Sequence, residues 1–208
     1  MKKTLGAVCM AIGMALLIGA LSLFLWNRAE SVRAEESCAA AIPLLNAAIA
    51  EKKELEATVP VQPGTPVELL PPEERVMTEV EIDGYLYIGY LSIPACGLEL
   101  PVLSQWDYAK LQIAPCRYSG TTIEENLVVV AHNYYSHFGL LDQLRLGDEV
   151  MFTEMDGTVN AYRVAAVDVV APVAVEEVTS GAFDLALVTC TYGGKSRLVV
   201  YCDVYNPQ

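Results

Sequence analysis

Three side chains that could act together in acyl transfer lie at the ends of apolar runs. Cys190 ends the apolar run 185–190, and Arg197 follows it after a short polar loop. His132 directly follows another apolar run, 127–131. A reactive side chain at a strand end lies where a rigid scaffold meets an open loop, which is a common place for functional residues. Cys190, His132 and Arg197 are therefore the candidate catalytic residues.

These residue types suit catalysis by a thiol nucleophile. A free thiol has a pKa of about 8.5, so it needs a neighbouring imidazole to ionise at neutral pH. The same imidazole then protonates the leaving amine and deprotonates the incoming one. An arginine supplies fixed donors and a permanent charge, which suits a developing oxyanion or a substrate carbonyl. From the residues alone, a buried structural thiol describes Cys190 better than a nucleophile does.

The region around these residues has the pattern of short β-strands. From about Val80 the chain is rich in aromatic and β-branched residues, and Gly, Pro, Asn and Asp clusters separate the runs. Asp156-Gly157 between two runs predicts a hairpin turn. Several short strands with regular turns predict a small barrel or sandwich. The predicted strands are 85–93, 127–131, 149–153, 161–171, 184–189 and 197–205.

The last predicted strand shows which side chains should face the core. Its apolar residues alternate with others, so one face carries Leu198, Val200, Cys202 and Val204. Arg197 should then point away from the core, and Cys202 should be buried and inert.

The six cysteines show no metal-binding or disulfide pattern. They are irregularly spaced and include no C-x-x-C pair, so we expect mostly free thiols, although a Cys96–Cys116 disulfide is conceivable. His132 and His137 are five residues apart, which is weak spacing for a metal site, and we expect His137 to be an exposed loop residue. Glu124 and Glu125 fit exposed loop charges better than a calcium site. We therefore expect no metal and no cofactor.

The N-terminal segment predicts a membrane anchor. Residues 4–26 carry no charge, and a helix of this length reaches about 34 Å, enough to cross a bilayer. Lys2 and Lys3 precede the segment, which weakly favours a cytoplasmic N-terminus. A cleaved signal peptide is the alternative, because residues 32–34 resemble a small-x-small cleavage site. In both cases the rest of the chain is exported.

The segment between anchor and body predicts a stalk. Residues 43–57 have a helical pattern with Pro43 in the first turn and a narrow apolar stripe. Residues 58–72 contain five prolines, which predicts either a semi-rigid spacer that holds the body away from the bilayer or a disordered connector.

Length and charge limit the organisation and the partners of this protein. The 208 residues suggest one domain with appendages, which we divide into an anchor at 1–27, a stalk and linker at 28–79, and a β body at 80–208. The formal net charge is −13, and such an acidic chain repels phosphate backbones. Nucleic acid is therefore not an expected partner.

Several motifs in a fixed order resemble the sortase family. Ala186-Leu187-Val188-Thr189-Cys190, with Arg197 after it, resembles the family's Thr-Leu-x-Thr-Cys signature and the arginine of its next strand, although Ala186 replaces the first Thr. Residues 129–133 resemble the family's histidine strand, with Ala131 in place of a common Gly. Residues 136–139 with 144–148, and residues 90–94, resemble further family segments. The resemblance spans roughly residues 85–205.

The resemblance implies a fold and an activity. The fold is an all-β, closed eight-stranded barrel with short helices in its loops, here preceded by the membrane helix and the stalk. The activity is cleavage of a Leu-Pro-x-Thr-Gly-like (LPXTG-like) sorting signal on a secreted protein, through a thioacyl enzyme. The acyl group then passes to an amine of a cell-wall precursor or of another surface protein. Such an enzyme is a single-pass membrane protein with its catalytic domain outside a Gram-positive-type cell.

The resemblance also assigns roles by position. Cys190 is the nucleophile, His132 the acid/base and Arg197 the oxyanion and substrate group. Thr189 assists through its hydroxyl, and residues 172–183 form the loop that shapes the signal pocket. Asn133, next to the histidine, fits either a hydrogen bond that orients His132 or a plain turn residue.

The subclass and two rival functions stay open from the sequence. Up to Gln208 the sequence shows neither the C-terminal membrane helix nor the N-terminal lid of many pilin-polymerising sortases, which favours a protein-anchoring type. One rival is a hydrolytic cysteine endopeptidase with the same residues. The other is a non-catalytic surface-binding module on the same barrel.

Overall fold

The computed structural model describes residues 2–58 and 76–205 of the chain. In these residues a long helix, α1 (Lys2–Thr58), precedes nine strands, and a one-turn helix, α2 (Val175–Val178), lies between the seventh and the eighth strand. The strands are β1 Val80–Ile82, β2 Tyr85–Ile93, β3 Leu98–Leu103, β4 Cys116–Ser119, β5 Leu127–Val130, β6 Glu149–Glu154, β7 Val159–Val170, β8 Leu185–Cys190 and β9 Arg197–Val204.

Eight of these strands close into a barrel. The strand order is β1-β2-β3-β4-β5-β8-β9-β7-β6, and β6 pairs back onto β2, which confirms the predicted closed eight-stranded fold with β1 as a short addition. The β3–β4 and β5–β8 pairs are parallel, and the other pairs are antiparallel. At Gly89 the closing strands lie so close that a Cβ would collide with the backbone oxygen of Thr153. Closure there requires a residue without a side chain.

The sequence predicted six of the strands to within two residues. The Asp156-Gly157 turn is also confirmed, since β6 and β7 pair as an antiparallel hairpin and Gly157 N–H donates to the Glu154 carbonyl at 2.9 Å. Three strands were missed, β1, β3 and β4. They are three to six residues long, and β3 contains Pro101, a residue that argues against a strand in sequence.

The two faces of β9 pack into different clusters. Val200 and Cys202 lie in the barrel interior, and Cys202 is fully buried, as predicted. Val199 and Tyr201 point outward and pack on the outer faces of β5 and β8, so the outside of the barrel is apolar here. Arg197 lines a cavity together with Val128 and Val188 of the outer cluster, which confirms that it points away from the core.

The part of α1 beyond the predicted anchor packs on the barrel. A stripe of side chains spaced three or four residues apart is buried, and most of it belongs to the same cluster as the barrel interior. α1 contacts β1, β2 and β3. The contact between α1 and the barrel is therefore more extensive than the narrow apolar stripe predicted from the sequence. The buried residues are Ala34, Cys38, Ala41, Leu45 and Ile49.

The predicted helix start at Pro43 is wrong, because α1 continues through this residue without a break. A proline inside a helix removes one hydrogen bond and costs about 3 kcal/mol. Pro43 and Ala39, whose carbonyl loses its partner, are both exposed, so water can solvate that carbonyl. Burial of Ala41 and Leu45 on the opposite face offsets the cost.

The first half of α1 is the predicted membrane segment. By length and composition it could cross a membrane, and its large apolar side chains are exposed. The predicted proline-rich linker, apart from Thr58, lies outside the described residues.

His137 contradicts the expectation of an exposed loop histidine, since its side chain is fully buried. The loop after β5 turns back tightly, with Phe138 N–H donating to the His132 carbonyl at 3.1 Å, and this turn carries His137 under α1. Its Nε2 lies 3.4 Å from Cys38 Sγ. Burial, and secondarily repulsion from His132, lowers the pKa of His137 to about 4.

Leu45→Ala should destabilise the folded chain by about 2–5 kcal/mol, because Leu45 is fully buried between α1 and the barrel. The matched control is Leu44→Ala, which makes the same change of helix propensity at a side chain that is 44% exposed. Urea denaturation of both variants in detergent micelles measures the difference. Equal stabilities would show that α1 does not dock as described.

His137 should also make stability depend on pH. The folded-state pKa of about 4 lies below the usual 6.5, so the unfolded chain binds the proton first as the pH falls. Between pH 8 and pH 5 the free energy of unfolding should therefore fall by about 2 kcal/mol more in the wild type than in His137→Phe. Urea denaturation at both pH values tests this, and an identical fall in the two proteins would contradict it.

Candidate functional site

The sheet brings the three candidate residues to one end of three neighbouring strands. Cys190 and Arg197 are direct partners in the antiparallel β8–β9 pair. β5 runs parallel to β8 on its other side, with Val130 beside Val188. His132 follows β5 by two residues and so emerges beside the end of β8. All three side chains line one cavity.

Thr189 fixes the ends of β5 and β8 relative to each other. Its side chain is buried, and Oγ1 donates a hydrogen bond of 3.0 Å to the Ala131 carbonyl. This bond joins the residue before Cys190 to the residue before His132. Thr189 also lines the cavity, but its hydrogen is already engaged within the protein.

The cavity lies on the outer face of the barrel and has a volume of about 280 Å³. Its floor is apolar and comes from β5, β7 and β8, while α2 and the residues around it form one wall. A second wall is aromatic, and the Trp106 ring lies 5.5 Å from Tyr118 and 5.7 Å from Tyr108. The loop 172–183, expected to shape a pocket, contributes Pro172, Ala174, Val175, Val178 and Thr179.

His132 is half-buried at the polar end of this cavity. Burial lowers its pKa below the usual value, and the Glu30 carboxylate on α1 acts weakly in the opposite direction. The imidazole is therefore neutral at neutral pH and can accept a proton. Its ring packs on Tyr134, with the centroids 4.8 Å apart.

Cys190 is the partly accessible thiol of the cavity, in contrast to the cysteines of the core. Cys38, Cys116 and Cys202 are buried, and burial raises the pKa of each to about 12. The conceivable Cys96–Cys116 disulfide is not formed. Cys96 Sγ donates to the Leu140 carbonyl at 3.5 Å, whereas Cys116 Sγ donates to the Ala114 carbonyl at 3.3 Å.

Arg197 is held by the loop between β8 and β9. Its Nη1 donates to the carbonyls of Gly194 at 3.3 Å and Ser196 at 3.2 Å. The loop is closed by Thr191 N–H, which donates to the Ser196 carbonyl at 3.0 Å. Within the described part of the chain, Nε and Nη2 of Arg197 have no hydrogen-bond partner. They can therefore donate to a bound group.

The structure does not bring every predicted residue into the site. Asn133 is exposed and does not line the cavity, and no hydrogen bond among the described residues joins its side chain to His132. His137 lies under α1 and is likewise not part of the cavity lining. Among residues 2–58 and 76–205, no group of three or more His, Cys, Asp or Glu side chains could hold a metal ion.

The aromatic wall was missed in the sequence. Trp106, Tyr108 and Tyr118 lie outside the six predicted strands, and aromatic residues between the predicted strands were the available signal. Glu30 was missed because its segment was assigned to a separate stalk, and only docking of α1 brings it near His132.

Comparison with solved structures finds sortases. Sortase C of Streptococcus pneumoniae has 26% sequence identity and a TM-score of 0.54, over 78% of this chain and 89% of that one. Sortase C1 of Streptococcus suis has 25% identity and a TM-score of 0.53, over 59% of this chain and 74% of that one. Sortase C of Clostridium perfringens SM101 has 24% identity and a TM-score of 0.52, over 83% of this chain and 91% of that one. At this identity the match supports the fold alone.

Comparison with the curated proteins finds no match. The sequence model of the Sortase domain matches residues 91–205, which is more than half of the chain. This region contains most of the barrel and all three candidate catalytic residues. The fold and this match together support a cysteine transpeptidase, and the chain belongs to the sortase family.

Proposed function

We propose that the protein cleaves an LPXTG-like sorting signal on secreted proteins and transfers the acyl group from Cys190 to an amine. The observation that carries the proposal is the common position of Cys190, His132 and Arg197 at the polar end of an apolar cavity. A thiol, a neutral imidazole and a fixed guanidinium are the three groups that acyl transfer needs.

The first half-reaction forms the thioacyl enzyme. Neutral His132 accepts the thiol proton as Cys190 Sγ attacks the carbonyl carbon of the signal's threonine. The carbonyl oxygen becomes an oxyanion, to which the free donors of Arg197 contribute hydrogen bonds and charge. Protonated His132 then gives its proton to the leaving glycine nitrogen as the C–N bond breaks.

The second half-reaction releases the product. The acceptor amine attacks the thioester carbon and His132 takes the proton from that amine. The C–S bond then breaks, and His132 returns the proton to Sγ, which restores the Cys190 thiol. If water attacks instead, the same steps give a carboxylic acid, which is the reaction of the rival endopeptidase. The competition between amine and water therefore decides between these two functions.

The shape and polarity of the cavity suit the proposed signal. Valine side chains of β5, β7 and β8 form the floor, and Trp106 and Tyr118 contribute to one wall. Leucine and proline side chains gain free energy when they leave water for such a surface. The residues that follow them would reach the polar end, where Cys190 lies.

Thr189 has a different role from the one the sequence suggested. Because its hydroxyl hydrogen is donated to the Ala131 carbonyl, we assign it to holding the Cys190 and His132 strands together. Asn133 has no part in the proposed mechanism, since it is exposed outside the cavity.

α1 anchors the enzyme in the membrane, with the N-terminus in the cytoplasm and the barrel outside the cell. The apolar first half of α1 supports this arrangement.

The acceptor is either a cell-wall precursor or an amine of another surface protein. The sequence favoured protein anchoring, whereas the two streptococcal structures compared above are sortase C enzymes, and the one from Streptococcus pneumoniae is described for its pilin substrate specificity. The identity of the acceptor amine distinguishes the two subclasses.

The proposal predicts a covalent adduct on Cys190. Full-length protein in detergent micelles, incubated with a mixture of LPXTG-like peptides, should gain the mass of the N-terminal part of one peptide. Cys190→Ala should give no adduct, while Cys96→Ala, which changes another half-buried thiol, should give the wild-type adduct.

Adding an amine separates the alternatives. Transfer to the amine supports a transpeptidase, and unchanged release of the acid supports the endopeptidase. If the wild type gives no adduct and Cys190 resists alkylation by iodoacetamide, the surface-binding module is the better description.

Arg197→Lys should lower kcat/KM for peptide cleavage by about 100-fold, because a single ammonium replaces the planar array of donors aimed at the oxyanion. Lys195→Ala is the matched control, since it removes an exposed cation from the same loop and should leave kcat/KM within about twofold. Steady-state cleavage kinetics of folded variants measure both. An equal loss in the two variants would show that the guanidinium of Arg197 has no specific role and that the loop is sensitive to any substitution.

A further inference from the structure

α1 contacts both loops that border the cavity. Ser136 Oγ, on the loop after β5, donates to the Ser31 carbonyl at 3.1 Å. Cys38 Sγ lies 3.4 Å from His137 Nε2 on the same loop and 3.5 Å from the Ile113 carbonyl on the loop before β4. A short part of the membrane-proximal helix thus joins the two loops to each other.

A series of ring contacts leads from this junction to His132. The rings of His137 and Tyr134 lie 5.5 Å apart, and the rings of Tyr134 and His132 lie 4.8 Å apart. His137 is fully buried, so its ring cannot move without displacing α1 or the barrel. The position of α1 is therefore linked through packed side chains to the ring of His132.

Packing alone does not explain a histidine at position 137. Its Nδ1 is buried without a hydrogen-bond partner in the described part of the chain, which costs about 1–3 kcal/mol. An apolar ring would fill the space without that cost. The contributions specific to histidine are the Nε2 contact with Cys38 and a hydrogen bond with the backbone of Ala34, and both partners lie on α1.

The hydrogen bonds around Cys38 form a consistent set. A thiol has one hydrogen, so when Sγ–H donates to the Ile113 carbonyl, the His137 Nε2–H donates to the sulfur. A serine hydroxyl at position 38 can donate and accept in the same directions, but an alanine can do neither. This difference provides a conservative variant for the test.

We propose that Cys38 and His137 are positioning residues that hold the loop after β5 against α1 and so fix the orientation of the His132 imidazole. The membrane-proximal helix is then part of the catalytic machinery. The catalytic consequence rests on the function proposed above, whereas the effect on the His132 ring does not.

The two histidines of the chain allow a direct test of the ring. Nuclear magnetic resonance of the full-length protein in detergent micelles, with labelled histidine, gives two imidazole signals, and His137→Phe leaves only that of His132. In Cys38→Ala and in His137→Phe we expect the His132 signal to shift and broaden. Cys38→Ser should keep the wild-type signal.

The titration of His132 gives a second reading from the same samples. The groups that affect or border its ring are Glu30 on α1, Tyr134 and His137 on its own loop, and Cys190 and Arg197 in the cavity. Cys38→Ala changes none of these side chains. In this variant the pKa of His132 should rise from below the usual value towards about 6.5, because a loosened ring is better hydrated.

Kinetics then test the catalytic consequence. In Cys38→Ala we expect kcat for peptide cleavage to fall about tenfold with KM unchanged, and Cys38→Ser to keep most of the wild-type kcat. Ile49→Val is the control for stability, since it removes one buried methyl group from α1 far along the helix from Cys38 and should leave kcat unchanged.

Each outcome separates this proposal from the proposed function. Unchanged His132 signals and unchanged kcat in both Cys38→Ala and His137→Phe would overturn the positioning role even if the wild type forms the thioacyl adduct. If the wild type forms no adduct but Cys38→Ala still alters the His132 signal, the positioning role is retained and the transferase function is rejected.

Discussion

The position of β8 between β5 and β9 is the constraint on which the candidate site depends. The antiparallel pairing with β9 places Arg197 directly opposite Cys190. Because β5 runs parallel to β8, both strands end on the same side of the barrel, and His132 therefore follows β5 on the side where Cys190 lies. Parallel neighbours cannot be joined by a tight turn, so a long connection must pass between β5 and β8. That connection includes β6, β7 and α2, and it supplies one wall of the cavity.

The barrel divides its apolar residues between two environments. The interior is packed and contains Cys202, whose raised pKa keeps it a thiol, whereas the outer faces of β5, β8 and β9 form a second apolar surface. A barrel strand normally turns its outer face to solvent. Here the outer surface is partly covered by α2 and the aromatic wall, which creates an apolar groove that ends at Cys190.

α1 connects this chemistry to the predicted membrane segment. The helix contributes Leu45 and Ile49 to the main core and contacts the loop of His132 through Ser31 and Cys38. Its contacts begin only a few residues after the predicted membrane segment. The barrel therefore lies against the part of α1 that follows the predicted membrane segment, and Ser31 contacts the end of the barrel that carries the candidate site.

The sequence by itself determined six of the nine strands, the apolar N-terminal segment and the three candidate catalytic residues, and its resemblance to a family implied the closed barrel. These follow from local signals, namely alternation along a strand, an uncharged segment and motifs of adjacent residues. Only the tertiary structure decided the burial of His137, the engaged hydroxyl of Thr189 and the continuation of α1 past Pro43. Each depends on contacts between segments far apart in the chain, and a polar residue in a loop carries no local sign of which distant element will cover it.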